Sequence, residues 1–108
     1  MDITRKLENI RSMKENWNGN HAPAFQSSMV DCVESLIKNL TIQPEVFPTA
    51  SGTIQLEYDN SYKDHLEIEL DGTDTAEVFL IRFSGEETYE IIPATTDALN
   101  ERIEAFLR

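Results

Sequence analysis

The sequence is poor in the residues from which most reaction centres and covalent staples are built. Its 108 residues include one cysteine, two histidines and four glycines. A single thiol, Cys32, cannot close an internal disulfide, and zinc sites of the four-cysteine or two-cysteine, two-histidine kind lack their ligands. Four glycines leave little for a phosphate cradle, and no Gly-x-Gly-x-x-Gly, phosphate loop, Gly-x-Ser-x-Gly or His-Glu-x-x-His pattern occurs. No run approaches the roughly 18 consecutive apolar residues that a membrane span needs. The start, Met1-Asp2-Ile3-Thr4-Arg5-Lys6, has no apolar region behind its charges, so no secretory leader is expected and a cytoplasmic location is.

Bases are the other shortage. Nine lysines and arginines face twenty aspartates and glutamates, for a net charge of −11. The imbalance is local: residues 1–44 carry five acids and five bases, whereas residues 45–108 carry fifteen acids and four bases. Nucleic-acid and acidic-membrane binding rest on neutralising phosphates with lysine and arginine, so both are excluded as expectations. A basic protein is the partner that such a field attracts.

What is present is ordinary globular material, 40% hydrophobic and 27% charged. Surface scaling gives roughly 6,000 Å² exposed when folded against roughly 18,000 Å² unfolded, enough for one core and one domain over residues 1–108. Ile3, Leu7, Ile10, Met13 or Lys14, and Trp17 fall at helical spacing, and Asn18-Gly19-Asn20 is expected to stop that first helix. His21–Phe25 reads as a connector punctuated by Pro23. Ser27 or Ser28 is expected to cap a second helix bearing Met29, Val30, Val33, Leu36, Ile37 and Leu40, which ends before Pro44.

From Glu45 the period becomes two. Strands are expected at Ile54–Asp59, at His65–Leu70, over Ala76–Phe83 and over Glu86–Ile92, with a short edge at Val46–Phe47 ended by Pro48. Pro93 stops the last strand, and Thr95, Thr96 and Asp97 open a helix with Leu99, Ile103, Phe106 and Leu107 on one side. The fold class is α+β: two layers, an antiparallel meander of four to five strands, two N-terminal helices and one C-terminal helix.

Pairing around the turns aligns Ile54 with Leu70, Leu56 with Ile68, Tyr58 with Leu66, Ile68 with Val78 and Leu66 with Leu80. With Ser84-Gly85 read as a two-residue turn, Val78 meets Ile91 and Leu80 meets Tyr89. All of these belong to one inner face, and a one-residue slip destroys the pattern. The opposite face then holds Glu57, Glu67, Glu69, Glu77 and Glu90 beside an apolar ridge of Phe79, Ile81 and Ile92, with Phe83 at its end. Glu57 faces Glu67 and Glu69 faces Glu77, an arrangement that costs stability. A ridge of that size on a solvated face points to an interaction surface.

These residues favour a small acidic binding protein, not an enzyme and without a cofactor or metal. It neutralises or inhibits a basic macromolecule, as an antitoxin, an immunity protein or a phage-encoded inhibitor of a host nuclease-type defence does. The contact residues on this reading are Glu57, Glu67, Glu69, Glu77 and Glu90 for steering and Phe79 and Ile81 as anchors. One alternative is a homodimeric structural module whose sheet faces pack together. A second is a metal-dependent hydrolase using Asp59, His65 and Glu67, since a carboxylate–histidine group can hold a divalent ion or move a proton. Cys32, on or beside the apolar face of the second helix, reads as a small hydrophobe, and His21 as a turn residue.

Two segments carry a resemblance. Trp17-Asn18-Gly19-Asn20-His21-Ala22-Pro23 and Pro48-Thr49-Ala50-Ser51-Gly52-Thr53-Ile54-Gln55-Leu56-Glu57-Tyr58 resemble a family of small bacterial and phage proteins with Trp-Asn/Asp-Gly…Ala-x-Pro and Pro-Thr-x-x-Gly-x-Ile-Gln-Leu-Glu-Trp/Tyr patterns. Tyr58 stands where that pattern often has tryptophan and His21 where it often has glycine. The resemblance implies a bacterial or phage setting and no particular activity. Physically the segments read as a helix stop with an aromatic plug and a loop that aims a strand; a ligand or partner site between Trp17 and the strand from Thr53 is the other reading.

Overall fold

The structure, a computed structural model, describes residues 3–108. Helix α1 spans Ile3–Arg11 and α2 Ser27–Lys38; strands β1 Glu45–Pro48, β2 Ile54–Asp59, β3 His65–Leu70, β4 Thr75–Ile81 and β5 Glu87–Pro93 follow, and α3 Thr96–Leu107 closes the chain. The five strands form one antiparallel sheet in the order β1-β2-β3-β4-β5, so the meander expected from the alternation is what forms.

Its inner face is apolar because alternate strand residues are. Val46, Ile54, Leu56, Leu66, Ile68, Leu70, Ala76 and Val78 are all buried, and they join Leu7, Ile10, Val30, Val33, Ile37, Leu99 and Ile103 of the helices in one continuous core. The helices therefore lie on one side of the sheet. The exposed area of 6479 Å² matches the scaling expectation. Burying side chains of this kind contributes about 1.5–3 kcal/mol each, before the entropy of ordering them.

The first helix is shorter than its periodicity suggests. The amide of Met13 donates to the Ile10 carbonyl at 3.1 Å, tightening the turn after Arg11, and Asn16 takes a left-handed φ of 65°. Trp17 then approaches the core from a loop, not from a helix: its Nε1 donates to the Pro23 carbonyl at 3.0 Å and its ring lies 5.7 Å from that of Phe25. Asn16 Oδ1 accepts from the His21 amide, and Asn18 Oδ1 from the amides of Asn20 and Ala22, so the side chains of the loop replace helical hydrogen bonds. Arg11 fixes α1 to α2 through Asp31 at 2.6 Å, with Glu8 on its other side. Gln26, not a serine, occupies the N-cap of α2 and makes no side-chain cap bond, whereas Thr95 caps α3 by accepting from the Ala98 amide at 3.2 Å.

The turn between β4 and β5 also departs from expectation. The Arg82 amide donates to the Glu86 carbonyl and the Gly85 amide to the Arg82 carbonyl, both at 2.8 Å, so the loop is Phe83-Ser84-Gly85. Gly85, at φ 96°, supplies the left-handed residue that a three-residue hairpin requires. One extra loop residue shifts the pairing by one: Val78 lies opposite Glu90 and Phe79 opposite Tyr89. Every β5 side chain is thereby on the face opposite to the expected one.

Candidate functional site

With α1, α2 and α3 packed on the inner layer, the other side of the sheet has no helix over it among the described residues, and its side chains form rows that the register sets directly. One row crosses the strands as Glu57, Glu67, Phe79, Tyr89; the next as Gln55, Glu69, Glu77, Ile91; a third as Asp59, His65, Ile81, Glu87. Glu57 is opposite Glu67 and Glu69 opposite Glu77, as expected. The sheet thus runs from a carboxylate field on β2 and β3 to an apolar ridge on β4 and β5.

The ridge is not the expected one. Because of the shifted β5 register, it consists of Phe79, Tyr89 and Ile91, which are 36%, 52% and 59% exposed, with Ile81 half-buried behind them. Phe79 and Tyr89 stack with ring centroids 4.9 Å apart. Ile92 has moved to the inner face and packs against the core. Glu90 is corrected in the same way: it belongs to the helix side, where Arg102 Nε of α3 donates to its Oε1 at 2.6 Å. Phe83 projects from the hairpin loop, 74% exposed, with Lys63 Nζ 5.6 Å from its ring. Tyr89 and Ile91 were missed as site residues. The signal that finds them is loop length, since Ser-Gly serves a three-residue hairpin as readily as a two-residue one.

Like charges side by side are held by donors that the alternation pattern does not advertise. Gln55 Nε2 donates to Glu57 at 2.8 Å and to Glu67 at 3.2 Å, Thr53 Oγ1 donates to Glu69 at 3.0 Å, and Tyr89 Oη donates to Glu77 at 2.8 Å. The hydrogen bond to Glu77 raises the Tyr89 pKa above the ordinary phenol value, since losing that proton would bring two anions together.

His65 sits among three carboxylates. Its Nδ1 is 2.7 Å from Asp59, and its Nε2 is 3.4 Å from Glu57 and 3.7 Å from Glu67. Partial burial opposes the imidazolium, but the Asp59 hydrogen bond and the three negative charges outweigh it, so the pKa of His65 is raised. That arrangement works against the metal-hydrolase alternative. The carboxylates are spent on the imidazole, and the doubly protonated ring they favour has no lone pair to offer an ion. Among the described residues, no group of three or more histidines, cysteines, aspartates or glutamates is arranged to hold a metal.

The two segments that carry the family resemblance meet in space. Gly52, at φ 85°, lies so close to Pro23 that a Cβ there would stand 3.2 Å from the proline Cγ. Beside this contact runs a cleft of about 410 Å³ bordered by Pro23, Gln26, Met29, Gly52, Thr53 and Asp71. Its one carboxylate, Asp71, is held by the Thr73 hydroxyl and amide, which lower its pKa. Trp17 does not line the cleft; it donates to the Pro23 carbonyl and packs on Phe25 and the core. His21, at φ 64°, is a turn residue. Cys32 is exposed, with Sγ 3.9 Å from the Gly72 carbonyl, so it is not a core hydrophobe.

The chain matches no protein-family model, and neither a curated protein nor a solved structure is significantly similar to it. Its functional reading rests on the geometry of the open face. No helix among the described residues is long and apolar enough to cross a membrane.

Proposed function

We propose that the open sheet face docks onto a basic surface of another protein and, by covering it, inhibits or neutralises that protein. One observation carries this reading: Glu57, Glu67, Glu69 and Glu77 adjoin Phe79, Tyr89 and Ile91 on a sheet face that no helix among the described residues covers. The carboxylates steer a cationic partner and reject acidic ones, while the aromatic pair and the isoleucine supply apolar area to be dried on contact. A nucleic-acid-binding groove of a nuclease-type enzyme has the charge that fits. An antitoxin, an immunity protein or a phage-encoded inhibitor of such an enzyme is the role that follows, in the bacterial or phage setting that the resemblance implies. The proposal assigns the chain no catalytic step and no cofactor.

Face-to-face homodimerisation is the poorer reading, because it apposes two carboxylate fields with few cations to separate them. The test captures partners from the native cell's lysate on wild-type protein, on Glu67→Lys/Glu69→Lys and on Phe79→Asp, followed by association kinetics with the captured protein. The expected result is a strongly basic protein retained by the wild type alone, whose association rate falls steeply with salt and, in the double variant, is slower and less salt-sensitive. Equal retention by all three, or a partner indifferent to salt, refutes the proposal.

A further inference from the structure

We propose that β5 pairs with β5 of a second copy of this chain, joining two five-stranded sheets edge to edge about a two-fold axis. This interface lies at the sheet edge and shares Tyr89 and Ile91 with the docking face, whose carboxylates and Phe79 it leaves open.

The two edges of the sheet are built differently. β1 is four residues long, ends in Pro48 and has α1 beside it, with Lys6 Nζ 4.3 Å from the Phe47 ring. β5 is seven residues long, and its register with β4 is unbroken from Thr75–Pro93 to Ile81–Glu87. It carries no lysine, and no proline before Pro93, of the kind that protects exposed edges. Because Arg82 and Glu86 form a hydrogen-bonded pair, Thr88, Glu90 and Ile92 direct their backbone groups to β4. The amides and carbonyls of Glu87, Tyr89 and Ile91 therefore face outward.

A two-fold pairing centred on Glu90 places Tyr89 opposite Ile91 of the second copy, twice, and both are already exposed apolar residues on the same face. Beneath the edge, a groove of about 300 Å³ is lined by Ile92, Pro93 and one stripe of α3: Ala98, Glu101, Arg102 and Ala105. Read in either direction, that stripe is small, charged, oppositely charged, small. Two copies laid antiparallel bring Ala98 against Ala105 and Glu101 against Arg102, so small residues permit close approach and the charges pair. The Glu90–Arg102 contact at 2.6 Å puts the centre of the strand level with the centre of the stripe. One axis therefore satisfies both.

Net charge opposes any dimer of this chain. Glu57, Glu67 and Glu69 stand on β2 and β3, and at about 4.8 Å per strand they are roughly 24 Å or more from their counterparts in the second copy, with Glu77 on β4 roughly 14 Å from its own; both separations exceed the Debye length of about 8 Å at physiological salt. Glu90 lies opposite its own copy on the axis, where each carboxylate is paired with Arg102 at 2.6 Å. One strand and one helical stripe make a small interface, for which association is weak and reversible.

Sedimentation equilibrium on the full chain tests this. The wild-type mass is expected to climb with concentration towards twice the chain's 12.3 kDa. Ile91→Pro removes one outward amide and Ala105→Glu places a charge in the helix contact; each is expected to weaken association about tenfold or more with the circular dichroism unchanged. Glu101→Arg and Arg102→Glu should each be monomeric alone and should associate with each other when mixed. A wild type that stays at the mass of one chain overturns the proposal. So does a dimer indifferent to both Ile91→Pro and Ala105→Glu, which would place the contact elsewhere, and so does a captured foreign strand protecting the Tyr89 and Ile91 amides in place of self-association.

Discussion

Replacing Glu69 by glutamine should make the protein more stable. Glu69 lies directly opposite Glu77, both are half-buried, and among the described residues neither forms a salt bridge. Directly opposed like charges in a sheet cost a share of about 0.2–1 kcal/mol. The glutamine carbonyl can still accept the Thr53 hydroxyl that now donates to Glu69 at 3.0 Å, so the substitution removes a charge and keeps the shape. With a urea slope of about 2 kcal/mol/M, the gain appears as a midpoint raised by about 0.1–0.5 M at pH 7 and low salt. In about 1 M salt, where the Debye length is about 3 Å, most of the gain should vanish. Glu67→Gln should gain less, because Glu67 also faces His65 at 3.7 Å. A Glu69→Gln protein that is less stable than wild type at low salt, or a gain that ignores salt, refutes the claim that this face carries electrostatic strain.

His65 makes the opposite prediction with pH. Its raised pKa means that the imidazolium's stabilising effect is fully present below the unfolded value of about 6.5 and is lost as pH climbs through the higher native value, so His65→Gln should flatten that decline in urea melts. Gly72→Ala should destabilise by about 1–3 kcal/mol: the position has φ 85°, and a Cβ there would stand 2.8 Å from Met29 Cγ and 3.3 Å from its Cα on α2. Gly19→Ala, at φ 74° with nothing within 4 Å, should cost less, and equal losses would show that contact with α2 contributes nothing. Leu56→Ala, fully buried at the centre of the inner face, should cost about 2–5 kcal/mol by thermal or urea denaturation.

The sequence was most legible where two independent signals had to agree. The pairing of β2 with β3 and β3 with β4 followed from alternation because a slip would expose Leu66, Ile68 and Leu70, all of which are buried. β5 offered no such check. Tyr89, Ile91 and Ile92 include apolar residues at both parities, so either register satisfied the pattern, and only the Phe83–Gly85 loop decided between them. At the N-terminus, the helical spacing of Met13 and Trp17 was real, and both pack on the core; but a loop rich in asparagine delivers them there through side-chain hydrogen bonds that carry no periodic signature. The donors that hold the acidic face, Gln55, Thr53 and Tyr89, were invisible because their roles depend on neighbours on the adjacent strand, 12 to 16 residues away in sequence.

The shifted register does more than rename residues, because it changes how charge and apolar area are divided. Moving Glu90 to the helix side gives it Arg102 and leaves Glu87, at the hairpin end, as the acid of β5 on the open face; moving Tyr89 and Ile91 outward in exchange for Ile92 enlarges the ridge there. Apart from Glu87 at the hairpin end, the acids lie on β2 to β4 and the ridge on β4 and β5, where Tyr89 joins the two by stacking on Phe79 and donating to Glu77. Such a surface is asymmetric: a partner must present cations to one half and apolar groups to the other. The inner face already holds a complete core, so folding does not require this division. The three-residue hairpin at Phe83–Gly85 is therefore the element through which the interaction surface is specified, since removing one of its residues would return Glu90 to the open face and break the ridge.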